Sequence, residues 1–114
     1  MVKDKWSEAA PLFAALADPV RCQVVQLLSA SPRRAGELAD ASGVAPPAMS
    51  RHLRVLLEAG VVEDERGPGD ARVRLFRLRP ESMVALQAWL DQLKAHWEEQ
   101  LGSFKRHAER RARK

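Results

Sequence analysis

The sequence holds a single cysteine, Cys22, so no disulfide can form within the chain and a structural zinc site of four cysteines is excluded. The fold must rest on packing. No window approaches the ~18 apolar residues that a membrane helix requires, and Met1 to Lys5 has no apolar signal core, so the expected location is cytoplasmic. Residue sets for catalysis are missing as well. No Ser/His/Asp or Cys/His set, phosphate-cradling glycine loop or carboxylate pair falls beside an expected cleft, so neither catalytic residues nor a cofactor is predicted.

What is present is the balance of a folded, water-soluble chain: 46% hydrophobic residues against 30% charged, which separates it from disordered sequences and membrane spans. Its 114 residues suit one domain, 1–114, with one core. The net charge of +4 favours polyanionic partners only weakly, and its placement says more. Arg66, Arg72, Arg74, Arg77 and Arg79 crowd one region, and Lys105, Arg106, Arg110, Arg111, Arg113 and Lys114 crowd the C-terminus, where a frayed, solvated tail is expected.

Ser7 is placed to cap a first helix, with Pro11 in or near its first turn, Leu12, Phe13 and Leu16 on one face, and an end near Ala17. Asp18-Pro19 then restarts the chain as a second helix to about Ala30, because Asp accepts orphan amides and proline at the first helical position loses no hydrogen bond. Val20, Val24, Leu27 and Leu28 give that helix its core stripe. A short third helix spans about Ala35 to Ser42, unmarked at its start, with Gly43 taking the left-handed backbone that closes it.

Pro46 and Pro47 fit only the first turn of a fourth helix, which carries Met49, Leu53, Leu56 and Leu57 inward and stops at Gly60. Two helices joined by a short glycine-containing turn, the second with polar residues at its exposed start, form a helix-turn-helix. Val61 to Glu65 and Arg72 to Leu78 read as strands around Gly67-Pro68-Gly69-Asp70, a hairpin placed as a wing. Pro80-Glu81 opens a last helix, 81–110, whose Met83, Leu86, Leu90, Leu93, Trp97, Leu101 and Phe104 recur near every 3.5 residues. So long a stripe exceeds what one small core can cover and invites a second copy of itself. The expected fold is mostly α with a β-hairpin wing: four helices, two strands and a long dimerisation helix, a winged helix-turn-helix.

The segments Ala15-Leu16-Ala17-Asp18-Pro19-Val20-Arg21, Gly36-Glu37-Leu38-Ala39 and Ser50-Arg51-His52-Leu53-Arg54-Val55-Leu56 through Glu58-Ala59-Gly60-Val61-Val62 resemble the ArsR/SmtB family of bacterial winged-helix repressors, over about Leu12 to Leu78. The resemblance implies a homodimer that represses its own operon and leaves DNA when an effector binds. It also implies two metal sites that this chain lacks. Where the family's thiol pair follows Glu-Leu, the sequence has Ala39 and Ala41; on the last helix Asp91 matches, but Leu93 and Phe104 stand where histidines belong. Thiol-sensing relatives pair a second-helix cysteine with one in the last helix, and Cys22 has no such partner. A classical metal sensor is therefore not expected, no metal ligands are assigned, and an unidentified small-molecule effector stays open.

The expected recognition residues are Pro47, Ala48, Ser50, Arg51, His52 and Arg54, with Pro46 standing where relatives often carry Gln or Ser, and the wing residues Arg66, Arg72 and Arg74. The partner is double-stranded operator DNA. Leu12, Phe13, Leu86, Leu90, Leu93, Trp97, Leu101 and Phe104 form the expected dimer interface. Trp89 and Trp97 fit interface anchors better than a ligand pocket, His96 and His107 lack companion carboxylates for a metal, and Cys22 reads as a small buried hydrophobe. The alternative function is a winged-helix module that binds a protein partner through its last helix, and arginines on both wing and recognition helix argue against it.

Overall fold

Asp18 separates the first two helices by chemistry that is local. In the computed structural model its carboxylate accepts the backbone N–H of Val20 at 2.8 Å and of Arg21 at 3.2 Å, capping α2 (Pro19–Ala30), with Pro19 in the first turn. The structure describes residues 5–67 and 69–112. Around α2 stand α1 (Lys5–Leu16), α3 (Ala35–Ser42) and α4 (Pro46–Glu58), then β1 (Val62–Gly67), β2 (Asp70–Leu78) and α5 (Pro80–Ala112). The order is the expected one. Pro68 at the wing tip, and Arg113 and Lys114 of the basic tail, lie outside the described residues.

Two expectations about α1 need correction. It begins before Ser7, so Ser7 is inside the helix rather than its cap, and Pro11 sits in the interior. A mid-helix proline costs on the order of 3 kcal/mol. Burial offsets it: Ala9, Leu12 and Ala15 are buried, and Trp6 packs on Phe13 and Trp89 with ring centres 6.1 and 5.0 Å away. Trp89 belongs to α5, far along the chain, where local sequence cannot see it.

The core gathers Val24 and Leu28 of α2, Leu38 and Ala39 of α3, Met49, Leu53 and Leu56 of α4, Val61, Val62 and Phe76. Leu27, expected in the stripe, is partly buried against it. Cys22 corrects another expectation. It lies about 200° around the helix from Val20, is exposed, and its Sγ contacts the Leu16 carbonyl at 2.9 Å.

Strands β1 and β2 pair antiparallel from Val62 with Leu78 to Arg66 with Arg74, and a bulge between Arg66 and Gly67 lets Gly67 meet Asp70. Both run further toward the tip than expected, while Val61 stays outside the ladder, bonded to Leu56 and Arg79. Arg33 adds a bridge to the outer side of β2: its N–H donates to the Phe76 carbonyl at 3.0 Å and its carbonyl accepts from Phe76 at 2.8 Å. The residues before α3 thus tie the helices to the wing.

Helix α5 is 33 residues, about 50 Å at 1.5 Å per residue, in a molecule 72 Å long. Met83, Ala85 and Leu86 pack on the core, and none of its residues is fully buried. Among the described residues no helix is long and apolar enough to cross a membrane.

Candidate nucleic-acid interface

Gly43 has φ of 65°, and its N–H and that of Val44 return to the Asp40 and Ala39 carbonyls at 3.3 and 3.0 Å. That closure turns the chain sharply enough for α4 to pack against α3. Because Met49, Leu53 and Leu56 face the core at helical spacing, the opposite face must carry Ser50, Arg51 and Arg54, and all three are exposed. Pro47 is exposed, Ala48 half-buried. Neither Arg51 nor Arg54 has a carboxylate within ion-pair distance among the described residues, so both guanidinium groups remain available to an anion.

His52 differs from its neighbours. It is half-buried, and its Nδ1 lies 3.2 Å from Arg21 Nη1, while Arg21 Nε donates to the Ala15 carbonyl at 2.5 Å. Asp18 stands beside this pair. Its carboxyl is held below the ordinary range chiefly by the Arg21 backbone N–H, with the Val20 N–H, His52 and the Arg21 guanidinium adding to the effect and burial opposing it. Arg21 draws notice in the sequence only as part of a longer segment; its role is visible once α2 and α4 are adjacent.

The wing carries more negative charge than its arginines alone suggest. Across 62–78, Glu63, Asp64, Glu65 and Asp70 balance Arg66, Arg72, Arg74 and Arg77 one for one. Arg74 pairs with Asp64 at 2.8 Å and lies 5.0 Å over the Phe76 ring; Arg77 meets Glu63 at 2.9 Å and Arg72 meets Asp70 at 3.2 Å. Arg72 also shapes the turn, since Asp70 accepts its backbone N–H at 2.9 Å, the main reason the Asp70 carboxyl sits below its usual range. Arg66 has no ion pair among the described residues. These pairs lie in solvent and each adds little to stability, so a phosphate can compete for the guanidinium.

Between α4 and β2 lies a cleft of about 420 Å³ lined by Ser50, Arg54 and Arg74 above Ala35, Leu53, Leu57 and Phe76. It brings expected recognition and wing residues to one surface. Its lining combines the basic side chains of Arg54 and Arg74 with the apolar Leu53, Leu57 and Phe76.

The expected interface residues divide. Leu12 is buried in the chain's own core at 5% exposure, and Leu86 packs partly against that core. Phe13 packs edge-on against Trp89 at 5.1 Å, so Trp89 joins α1 to α5 within one chain. Leu90, Trp97, Leu101 and Phe104 remain exposed, Phe104 at 73%, and Leu93 is half-exposed. Among the described residues no three of His, Cys, Asp and Glu are grouped to hold a metal ion, and His96 and His107 are both exposed.

A helix-turn-helix followed by a two-stranded wing and a long terminal helix defines the class as winged helix-turn-helix. A family described as a helix-turn-helix domain matches residues 16–65. The HTH-type transcriptional regulator Rv2034 of Mycobacterium tuberculosis is 41% identical over 79 residues, covering 69% of this chain and 71% of that protein. The HTH-type transcriptional repressor SmtB of the same species is 45% identical over 67 residues, covering 59% of this chain; the match spans half of that repressor's length. A crystal structure of an ArsR family transcriptional regulator superposes with a TM-score of 0.69 at 31% identity, covering 86% of this chain and 97% of the other. The chain belongs to the ArsR/SmtB family of winged helix-turn-helix transcriptional regulators.

Proposed function

We propose that the protein is a homodimeric repressor that binds an inverted-repeat operator, the one upstream of its own gene included, with the exposed start of α4 in the major groove. The observation that carries this reading is the exposed face of Ser50, Arg51 and Arg54, whose arginines lack carboxylate partners among the described residues, with Ser50 and Arg54 lining a cleft shared with Arg74 of the wing. Ser50, Arg51 and His52 meet base edges; Pro47, Ala48 and Arg54 border the backbone; Arg66, Arg72 and Arg74 meet phosphate or the adjoining minor groove. The dimer forms through Phe13 and the seam from Leu86 to Phe104, whose apolar residues stand largely in solvent in the single chain. Kinship with proteins named transcriptional repressors supports the same reading.

The effector, if one acts, is a small molecule other than the thiol- or histidine-bound metals of the family's familiar sensors. A second reading, a module that binds a protein partner through α5, draws on the charge-balanced wing and the exposed end of α5. Footprinting the purified protein on DNA upstream of its gene separates them. Protection of two half-sites about one helical turn apart, ~10 base pairs, is expected for the repressor. No protection at any site would leave the protein-interaction reading in possession.

A further inference from the structure

Arginine has five N–H donors and no acceptor, and it does not lose its proton in proteins. The 3.2 Å contact between Arg21 Nη1 and His52 Nδ1 can therefore be a hydrogen bond in one arrangement only, with Nδ1 unprotonated and accepting. In a neutral imidazole the proton must then sit on Nε2, and a doubly protonated ring would turn a donor toward a donor and one positive charge toward another. Arg21 is itself held at two points, by Ala15 through Nε and by the turn at Asp18 through its backbone N–H. Its side chain is thus prepositioned before anything approaches α4. Nε2 of His52 has no protein partner among the described residues.

We propose that Arg21 is a positioning residue for recognition: it locks His52 in the Nε2–H tautomer, so that α4 offers the operator a fixed N–H donor. This rests on the DNA-binding reading and adds a chemical preference to it. A donor at that point matches purine N7, guanine O6, thymine O4 or a phosphate oxygen, and is mismatched against the cytosine amino group, which also donates. Without Arg21 the free imidazole would exchange between tautomers, and part of the population would present an acceptor to the same base. The lock removes that ambiguity at a residue next to Arg51, whose guanidinium is also donor-only, so both side chains demand acceptors.

The test reads the tautomer directly, in the full chain without DNA, from side-chain nitrogen-15 correlation spectra of labelled histidine at neutral pH. The parent should show His52 with an unprotonated Nδ1 and a protonated Nε2. Arg21→Lys, which keeps a donor, should keep much of that pattern; Arg21→Leu should give averaged nitrogens, while His96 and His107 do not change. A parent spectrum with a protonated Nδ1 or averaged nitrogens overturns the proposal, and so does an Arg21→Leu spectrum identical to the parent. On operator DNA, His52→Ala and Arg21→Leu should each weaken binding on the order of fivefold, the size of one hydrogen bond, and the double variant little more than either. Additive losses would mean that Arg21 does not act through His52. A parent that binds no DNA would defeat the earlier reading instead, and the spectrum would still decide the Arg21 assignment.

Discussion

Single side chains on α4 and the wing should separate reading from positioning. Arg51 stands on the exposed face with no acid beside it, so Arg51→Ala should cost about 1 to 3 kcal/mol at one operator position and relax the preference there. Arg66→Ala should weaken operator and scrambled DNA alike and flatten the salt dependence by roughly one unit for each phosphate it leaves unneutralised. Fluorescence anisotropy on both DNAs over a salt series measures the two. Equal losses on both for Arg51→Ala would demote that residue to backbone positioning. Asp18 makes a different prediction. Its folded-state pKa is depressed, so its contribution to stability is complete above the ordinary carboxylate value near 4 and disappears as the pH falls through the lower folded value. Urea midpoints of the parent and Asp18→Asn should differ at pH 7 and converge toward pH 2, and a constant gap would show that the carboxylate's charge is not what stabilises α2.

Whole elements respond through packing and backbone. Leu56 is fully buried in the α4 face opposite Ser50, Arg51 and Arg54, so Leu56→Ala should lower stability by roughly 2 to 5 kcal/mol, read from chemical denaturation. Gly43→Ala meets no atom within 4 Å but forces a side chain into left-handed backbone, so a loss of about 1 to 2 kcal/mol is expected from conformation alone. On the wing, Asp64→Asn releases Arg74 from its ion pair. It should raise affinity for any DNA and steepen the salt dependence, because a guanidinium no longer shared with an acid is free for phosphate. Unchanged affinity in that variant would place Arg74 away from the DNA.

For the molecule as a whole the decisive surface is the outer part of α5. A 33-residue helix leaves Trp97, Leu101 and Phe104 in solvent, and on the proposed dimeric reading Trp97→Glu should sediment as a monomer or aggregate and bind operator weakly, its two half-sites no longer engaged together. If that variant sediments as a stable dimer like the parent, the seam is not the interface. On the proposed reading, zinc and arsenite at micromolar levels should leave operator affinity unchanged, since Ala39, Ala41, Leu93 and Phe104 stand where the family resemblance would place thiols and imidazoles. Release of DNA by tenfold or more would mean a site assembled across two chains, from residues that are apart in one.

What sequence alone determined is what short-range chemistry determines. Asp18-Pro19 starts α2, Gly43 takes positive φ, Pro46 opens α4, and apolar spacing of three and four puts Met49, Leu53 and Leu56 inside, which leaves Ser50, Arg51 and Arg54 outside. Each depends on neighbours a few residues away, so it can be read along the chain. Tertiary structure decided the rest, because the partners are far apart in sequence. Trp89 on α5 packs against Trp6 in α1; Leu12 is buried in the core; Arg33 joins β2. Antiparallel register, which no sum of charges contains, sets Arg74 beside Asp64 and Arg77 beside Glu63 and Glu65, and leaves Arg66 without an ion pair among the described residues. Arg21 and His52 are 31 residues apart, and only the packing of α2 on α4 makes the donor of one dictate the proton of the other.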